Sequence, residues 1–180
     1  MSDVLILVGS LRDGFNAALA TAATTVLTEQ GHTVQRYPDL ASLPHYYEDL
    51  DASGVDANID AFRAAVEASD AVLFVTPEYN GGPSSLIKNA LDVSSRPRLE
   101  GAIHEKPTAV IGATPSPGGT AGARAALLEG LNRAGADAVE TTFGVAKAHQ
   151  HLGDDGYDQE VRQALHDFLT QWLCVSARAA

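Results

Sequence analysis

The chain has little cysteine, few basic residues and no long apolar run, and each shortage removes a class of protein. One cysteine, Cys174, stands among 180 residues. No internal disulfide framework is possible, which suits a reducing compartment. Cys174 ends an apolar helical pattern and is expected to pack there as a small hydrophobe, not to act as a redox thiol. Lys and Arg number 12 against 23 Asp and Glu, a formal net charge of -11. That balance repels nucleic acid and anionic membrane surfaces, and no basic patch or interleaved aromatic stripe offsets it. Neither is expected as a partner. No apolar stretch approaches bilayer-spanning length, and no positively charged start leads into an apolar signal region, so a cytoplasmic location is expected.

Several catalytic signatures are missing as well. Gly9 and Gly14 have the glycine spacing of a Walker A loop, but Phe15 and Asn16 stand where Lys and Ser/Thr are required. The dinucleotide fingerprint G-x-G-x-x-G occurs neither at Gly9 nor at Gly118–Gly122. No G-x-S-x-G elbow supports a hydrolase. A phosphoacceptor receiver needs a carboxylate cluster at the strand ends, and Gly9 and Thr76-Pro77 supply none. His149-Gln150-His151, with Asp154 and Asp155 nearby, has metal-binding residue types but no defined third ligand. A solvated loop before the last helix is the preferred reading, and no metal is expected.

What the chain does have is apolar alternation. It is 45% hydrophobic, enough for one domain over residues 1–180 with a substantial core, and no Pro/Gly/Ser-rich linker divides it. Short apolar runs at Val4–Val8, Thr33–Tyr37, Ala71–Val75, Thr108–Gly112 and Ala138–Phe143 read as strands. Between and after them come helical patterns: Phe15 to Gln30, a second carrying Ile59, Phe62 and Val66, a third carrying Leu86, Ile87, Ala90 and Leu91, Ala121 to Ala134, and Asp158 to about Val175. This alternation predicts an α/β fold, a doubly wound five-stranded parallel sheet with helices on both faces and the flavodoxin-like order 2-1-3-4-5. In such sheets ligands sit beyond the carboxyl ends of the strands.

Three loops are expected at that edge. Gly9-Ser10-Leu11-Arg12-Asp13-Gly14-Phe15-Asn16 follows the first strand and opens a helix, whose unpaired N–H groups and dipole favour an anion. Arg12 adds a fixed fork of donors, and Ser10 and Asn16 add neutral ones. The residues have the makings of a phosphate cradle, or of a plain helix cap beside a solvated arginine. The second loop is Thr76-Pro77-Glu78-Tyr79-Asn80-Gly81-Gly82-Pro83, and the third is Thr114-Pro115-Ser116-Pro117-Gly118-Gly119. A fourth segment, Leu43 to Leu50, contains Tyr46 and Tyr47 and is long for a connection in a compact domain.

These residues resemble the family of NADPH-dependent FMN reductases, flavodoxin-like enzymes that include quinone, chromate and azo-dye reductases. GSLR with Asn16 is similar to the family's phosphate loop. PEYNGGPSSLIKNALDVSSRP resembles its PEYN motif and following helix, and TPSPGGTAGARAALLEGL its third flavin-side segment. The likeness covers about residues 3 to 145. One departure stands out: the family writes GSLR-x-x-S-x-N, whereas here the loop is one residue shorter and Gly14-Phe15 replace the Ser and its neighbour.

The resemblance implies FMN as cofactor and NADPH, or NADH, as co-substrate, with a small-molecule electron acceptor such as a quinone or free flavin. Phosphate would be held at Ser10, Arg12, Gly14, Phe15 and Asn16. The ring edge would meet backbone groups of Pro77, Glu78, Tyr79, Asn80 and Gly81, with Ser116 and Pro117 on another side. The flavin carries the chemistry, so no catalytic acid or base is expected. Tyr46 or Tyr47 is expected to wall the cleft or to anchor its loop. The family's assembly implies a homodimer or tetramer using the helix of residues 84–95, to which Asp92 and Arg96 would add charge. The alternative is a flavodoxin-type electron carrier, although carriers of that kind usually have a Ser/Thr-rich phosphate loop where this chain has Arg12.

Overall fold

The computed structural model describes residues 1–52 and 54–179, with side chains described to residue 174. Along the chain run β1 (Asp3–Val8), α1 (Phe15–Glu29), β2 (Thr33–Arg36), α2 (Ala57–Ala68), β3 (Ala71–Val75), α3 (Ser85–Ser94), β4 (Pro107–Ala113), α4 (Ala121–Arg133), β5 (Asp137–Ala138), β6 (Phe143–Val145) and α5 (Gln159–Ala179). The strands are parallel in the order β2-β1-β3-β4-β5, with β6 also against β4. This is the flavodoxin-like 2-1-3-4-5 order, with β5 and β6 sharing the fifth place.

Alternation along the central strands sorts the core into two layers. Val4 and Ile6 of β1, Leu73 and Val75 of β3, and Ala109 and Ile111 of β4 pack on Leu19, Ala23 and Leu27 of α1 and Leu165, Leu169 and Trp172 of α5. Leu5, Leu7, Val72, Phe74 and Val110 point the other way, onto Ile59 and Phe62 of α2, Ile87 and Leu91 of α3, and Leu127 and Leu131 of α4. Both faces are covered, which is why these strands read as continuous apolar runs and not as alternating ones.

Two expectations need correction. The fifth strand is not one run over Ala138–Phe143: Glu140 and Thr141 are exposed, and the chain rejoins β4 only at Phe143. A polar stretch cannot occupy a slot covered on both faces, so it swings out, and Arg124 Nη1 donates to Thr142 Oγ1 to hold the detour. Cys174 is exposed, not packed in the core. It lies two residues past buried Trp172, about 200° around the helix from the Trp172 stripe.

The helix starts differ in a way that matters for the site. Asp56 caps α2, accepting from Asn58 N at 2.9 Å and Ile59 N at 3.1 Å. Ser84 Oγ caps α3 at Ile87 N. At the start of α5, Asp158 accepts from Val161 N at 3.0 Å. The cap residues of α1 and α4, Gly14 and Thr120, themselves make no side-chain capping hydrogen bond.

Candidate active site

The three loops leave adjacent strands, and long-range hydrogen bonds join them into one edge. Gly9 N donates to Val75 O at 2.8 Å, tying the first loop to the end of β3. Asn16 links the first loop to the end of β4: its Nδ2 donates to Ala113 O and its Oδ1 accepts from Ala113 N, both at 2.9 Å. Thr114 N donates to Val145 O at 3.0 Å and Thr114 O accepts from Ala148 N at 2.9 Å. Asn16, expected as a phosphate donor, has most of its amide engaged in these bonds, with one Nδ2 N–H outside them. Its carbonyl and one N–H are spent on Ala113, and the residue is 6% exposed, so it pins two loops together.

In the first loop Ser10 Oγ donates to Arg12 O at 3.1 Å, and Leu11, Arg12 and Asp13 are exposed. The side chain of Arg12 has no ion pair or hydrogen bond among the described residues. It lines a recess of about 240 Å³ with Ser10, Asp13, Arg36 and Asp39. Arg36 went unremarked in the sequence, although a guanidinium closing the strand beside the first was a usable signal. Gly14 is extended and precedes α1, whose first-turn N–H groups are capped by no side chain among the described residues. The Phe15 side chain packs on the core, and its carbonyl accepts from Tyr157 Oη at 3.0 Å. Burial pushes the Tyr157 phenol up, which keeps it a donor.

The second loop is a miniature hairpin, Glu78–Tyr79 against Gly82–Pro83. Asn80 and Gly81 form its turn with φ of 52° and 76°. Positive φ at both central residues is the type I′ pattern, for which Asn-Gly is the usual pair. That signal stood in the sequence, yet no hairpin was expected there. Buried Thr76 closes the base, its Oγ1 accepting from Ser84 N at 3.2 Å. Tyr79 is 64% exposed, at the tip. Glu78, expected to matter through its backbone, has a side-chain partner: its carboxylate accepts from Ala123 N at 3.0 Å.

In the third loop Ser116 and Pro117 are exposed, and Ser116 N donates to Thr114 Oγ1 at 3.3 Å. Behind it sits Arg124, which the sequence reading also missed. Its Nε donates to Gly119 O at 3.0 Å. Burial lowers this guanidinium from its usual value while the Glu78 carboxylate acts the other way.

Outside the loops the remaining candidates divide cleanly. Tyr46 anchors its segment: its N–H donates to Asn89 Oδ1 at 2.9 Å, its hydroxyl to Asp51 at 3.1 Å, and Arg96 lies over its ring at 5.6 Å. Tyr47 is exposed. Asp92 pairs with Lys88 on the same helix, and Arg96 is engaged with Tyr46 in its own chain. His151 pairs with Asp158 at 2.8 Å, and among the described residues no cluster of three or more His, Cys, Asp or Glu side chains is placed to hold a metal. A larger recess of about 580 Å³ lies between α1 and α5 and includes none of the loop residues, so size alone does not locate the chemistry.

One parallel-sheet edge thus carries a helix start whose cap residue makes no capping bond, an arginine without a partner among the described residues, and a pinned hairpin. The model of the family described as NADPH-dependent FMN reductase matches residues 2–150. The chain belongs to that family. A quinone reductase of Pseudomonas putida is 38% identical to this reductase over 129 residues, 71% of this chain and 68% of the relative. An NAD(P)H-dependent FMN reductase of Pseudomonas aeruginosa is 38% identical over 134 residues, 73% and 71% of the two chains. Among solved structures, the flavoenzyme NAD(P)H:(acceptor) oxidoreductase FerB of Paracoccus denitrificans superposes with a TM-score of 0.86 at 29% identity, covering 99% of this chain and 98% of that one. The chain is thus a flavin-dependent oxidoreductase of a family that uses FMN and NAD(P)H. No described helix of this reductase is long and apolar enough to cross a membrane.

Proposed function

We propose that the chain holds FMN across its three loops, receives a hydride from NAD(P)H and delivers electrons to a small acceptor, a quinone or free flavin. The observation that carries this reading is the start of α1. Among the described residues its first-turn N–H groups have no capping side chain and the neighbouring Arg12 has no partner, in a chain with a net charge of -11. Free donors at a helix start suit a dianionic phosphate.

FMN, when bound, supplies the chemistry of hydride acceptance and onward electron transfer. The residues of the chain bind and orient. Arg12 and the N–H groups of Gly14 and Phe15 take the phosphate, joined by the Ser10 hydroxyl once it turns from Arg12 O, the backbone standing in for the hydroxyl that the shortened loop lacks. Backbone groups of Pro77, Glu78, Tyr79, Asn80 and Gly81 meet the ring edge. Tyr79 lines the rim, and Ser116 and Pro117 close another side. No side chain is needed as acid or base. The acceptor class is supported by the names of the Pseudomonas relatives. A homodimer or tetramer follows from family resemblance, and light scattering on the flavin-loaded protein tests it; a monomeric mass with full activity would refute it.

The direct test is optical. Purified protein should be yellow, release FMN on denaturation and lose its visible flavin band when NADPH is added without a reductase partner. A protein that holds FMN but is not bleached would be a carrier, and one that takes up no FMN would end the reading.

A further inference from the structure

The helix α4 begins without help from its own sequence. Its cap residue Thr120 sits at φ of 60°, and its Oγ1 donates to Gly119 O at 2.6 Å, so it caps nothing. The acceptor comes from 45 residues away: Glu78 takes the Ala123 N–H at 3.0 Å. Beside that bond the two backbones touch. A Cβ on Gly122 would lie 2.8 Å from Gly81 O and 3.2 Å from Gly81 Cα. The hairpin is therefore seated on the first turn of α4 through one carboxylate and one glycine contact. That turn is continuous with Gly119 and Thr120, the end of the third loop.

We propose that Glu78 is a positioning residue of the flavin-ring site: by capping α4 from the hairpin, its carboxylate fixes the hairpin backbone against the third loop. The inference rests on the function proposed above, since these two loops are the ones assigned to the ring. Glu78 then governs affinity for the isoalloxazine and leaves the phosphate grip to the first loop. An ordinary cap would affect stability only.

Binding of riboflavin, which has the ring without the phosphate, is measured beside FMN by flavin fluorescence for four proteins. Glu78→Ala removes the acceptor and should weaken both ligands by the same factor, about tenfold, because a hydrogen bond to a charged group is lost. Glu78→Gln keeps an acceptor for Ala123 N–H and should recover affinity to within about threefold of wild type. Asp56→Ala removes the cap of α2, remote from the loops, and should lower Tm while leaving both affinities unchanged. Gly122→Ala keeps Glu78 but pushes on Gly81, and should weaken both ligands. It covers the case in which Glu78→Ala does not fold. Riboflavin affinity within twofold of wild type in Glu78→Ala or Gly122→Ala, with a lowered Tm like that of Asp56→Ala, would reduce the contact to a structural cap and overturn the proposal. Failure of Glu78→Gln to recover would overturn the hydrogen bond as its basis. A wild type that binds neither flavin would instead overturn the function on which the inference rests.

Discussion

The first loop and the hairpin leave neighbouring strands at the same edge, yet Thr76 and Glu78 of the hairpin are committed where Arg12 and the helix start of the first loop are not. In the hairpin the commitments are Thr76 to Ser84, Glu78 to the start of α4, and the turn to a fixed pair of positive-φ residues. In the first loop, among the described residues, the start of α1 has no side-chain cap and the Arg12 side chain has no partner. A ring needs a flat, preformed backbone that does not move, whereas a phosphate needs donors that the protein has not already used. Under the proposed function the contrast separates a shape-giving loop from a charge-gripping one, and substitutions in each should fail differently.

The largest effect is expected at Arg12. If its side chain grips the phosphate, Arg12→Ala should cost about 1.5–3 kcal/mol, a roughly ten- to 150-fold loss of FMN affinity. Riboflavin binding should barely change, so the preference for FMN shrinks, and FMN binding becomes less sensitive to salt. Equal losses for the two ligands would mean that Arg12 supports the loop and that the phosphate sits elsewhere.

Asn16→Ala sharpens the contrast from within the same loop. It leaves the buried N–H and carbonyl of Ala113 without partners, at a cost of about 1–3 kcal/mol, or roughly 2–4 °C in Tm per kcal/mol for a chain of this size. Thermal unfolding of the flavin-free protein measures this. The two ligands should then suffer together; a selective loss of FMN would restore Asn16 to the phosphate.

Gly81→Val breaks the hairpin side. Nothing lies within 4 Å of a Cβ there, so space is not the obstacle, but φ of +76° is. A β-branched residue in the left-handed region costs about 1–2 kcal/mol, so FMN and riboflavin should both weaken by roughly five- to thirtyfold in fluorescence titrations. Unchanged affinities would remove this loop from the ring edge.

The smallest effect is expected at α5, a helix start that is capped where α1 is not. The Val161 N–H, and after it His151, hold the Asp158 carboxyl below its ordinary value of 3.8. The folded pKa is depressed, so the stabilisation is fully present above the unfolded value and is lost as pH falls through the folded one. Asp158→Asn should flatten the stability–pH curve in that acidic window, measured by urea unfolding, and leave flavin binding untouched. An identical acid limb in the variant would remove Asp158 from the acid response.

Much of the fold, and the edge that gathers the three loops, was readable because the signals are local. The strands declare themselves by apolar runs, and Pro83-Ser84 and Gly31 mark helix ends by their own chemistry. Three strand-to-helix loops on a parallel sheet must share an edge. The Asn80-Gly81 turn was equally local and could have been read. The partners of Asn16, Glu78 and Arg124 could not: Asn16 meets Ala113 across 97 residues, Glu78 meets Ala123 across 45, and Arg124 meets Thr142 across 18. Donor-rich residues in a loop look alike in sequence whether they face a ligand or their own backbone.

The sequence by itself determined the sheet order, the two core faces and the edge where the three loops meet, because periodicity, turn residues and crossover geometry act over a few residues at a time. Tertiary structure alone decided which polar groups remain available. It consumed Asn16 at Ala113, lent Glu78 to α4, turned Cys174 out of the core, split the fifth strand at its polar stretch and left Arg12 beside an uncapped helix. A hydrogen-bond donor is free only when nothing distant in the chain folds against it.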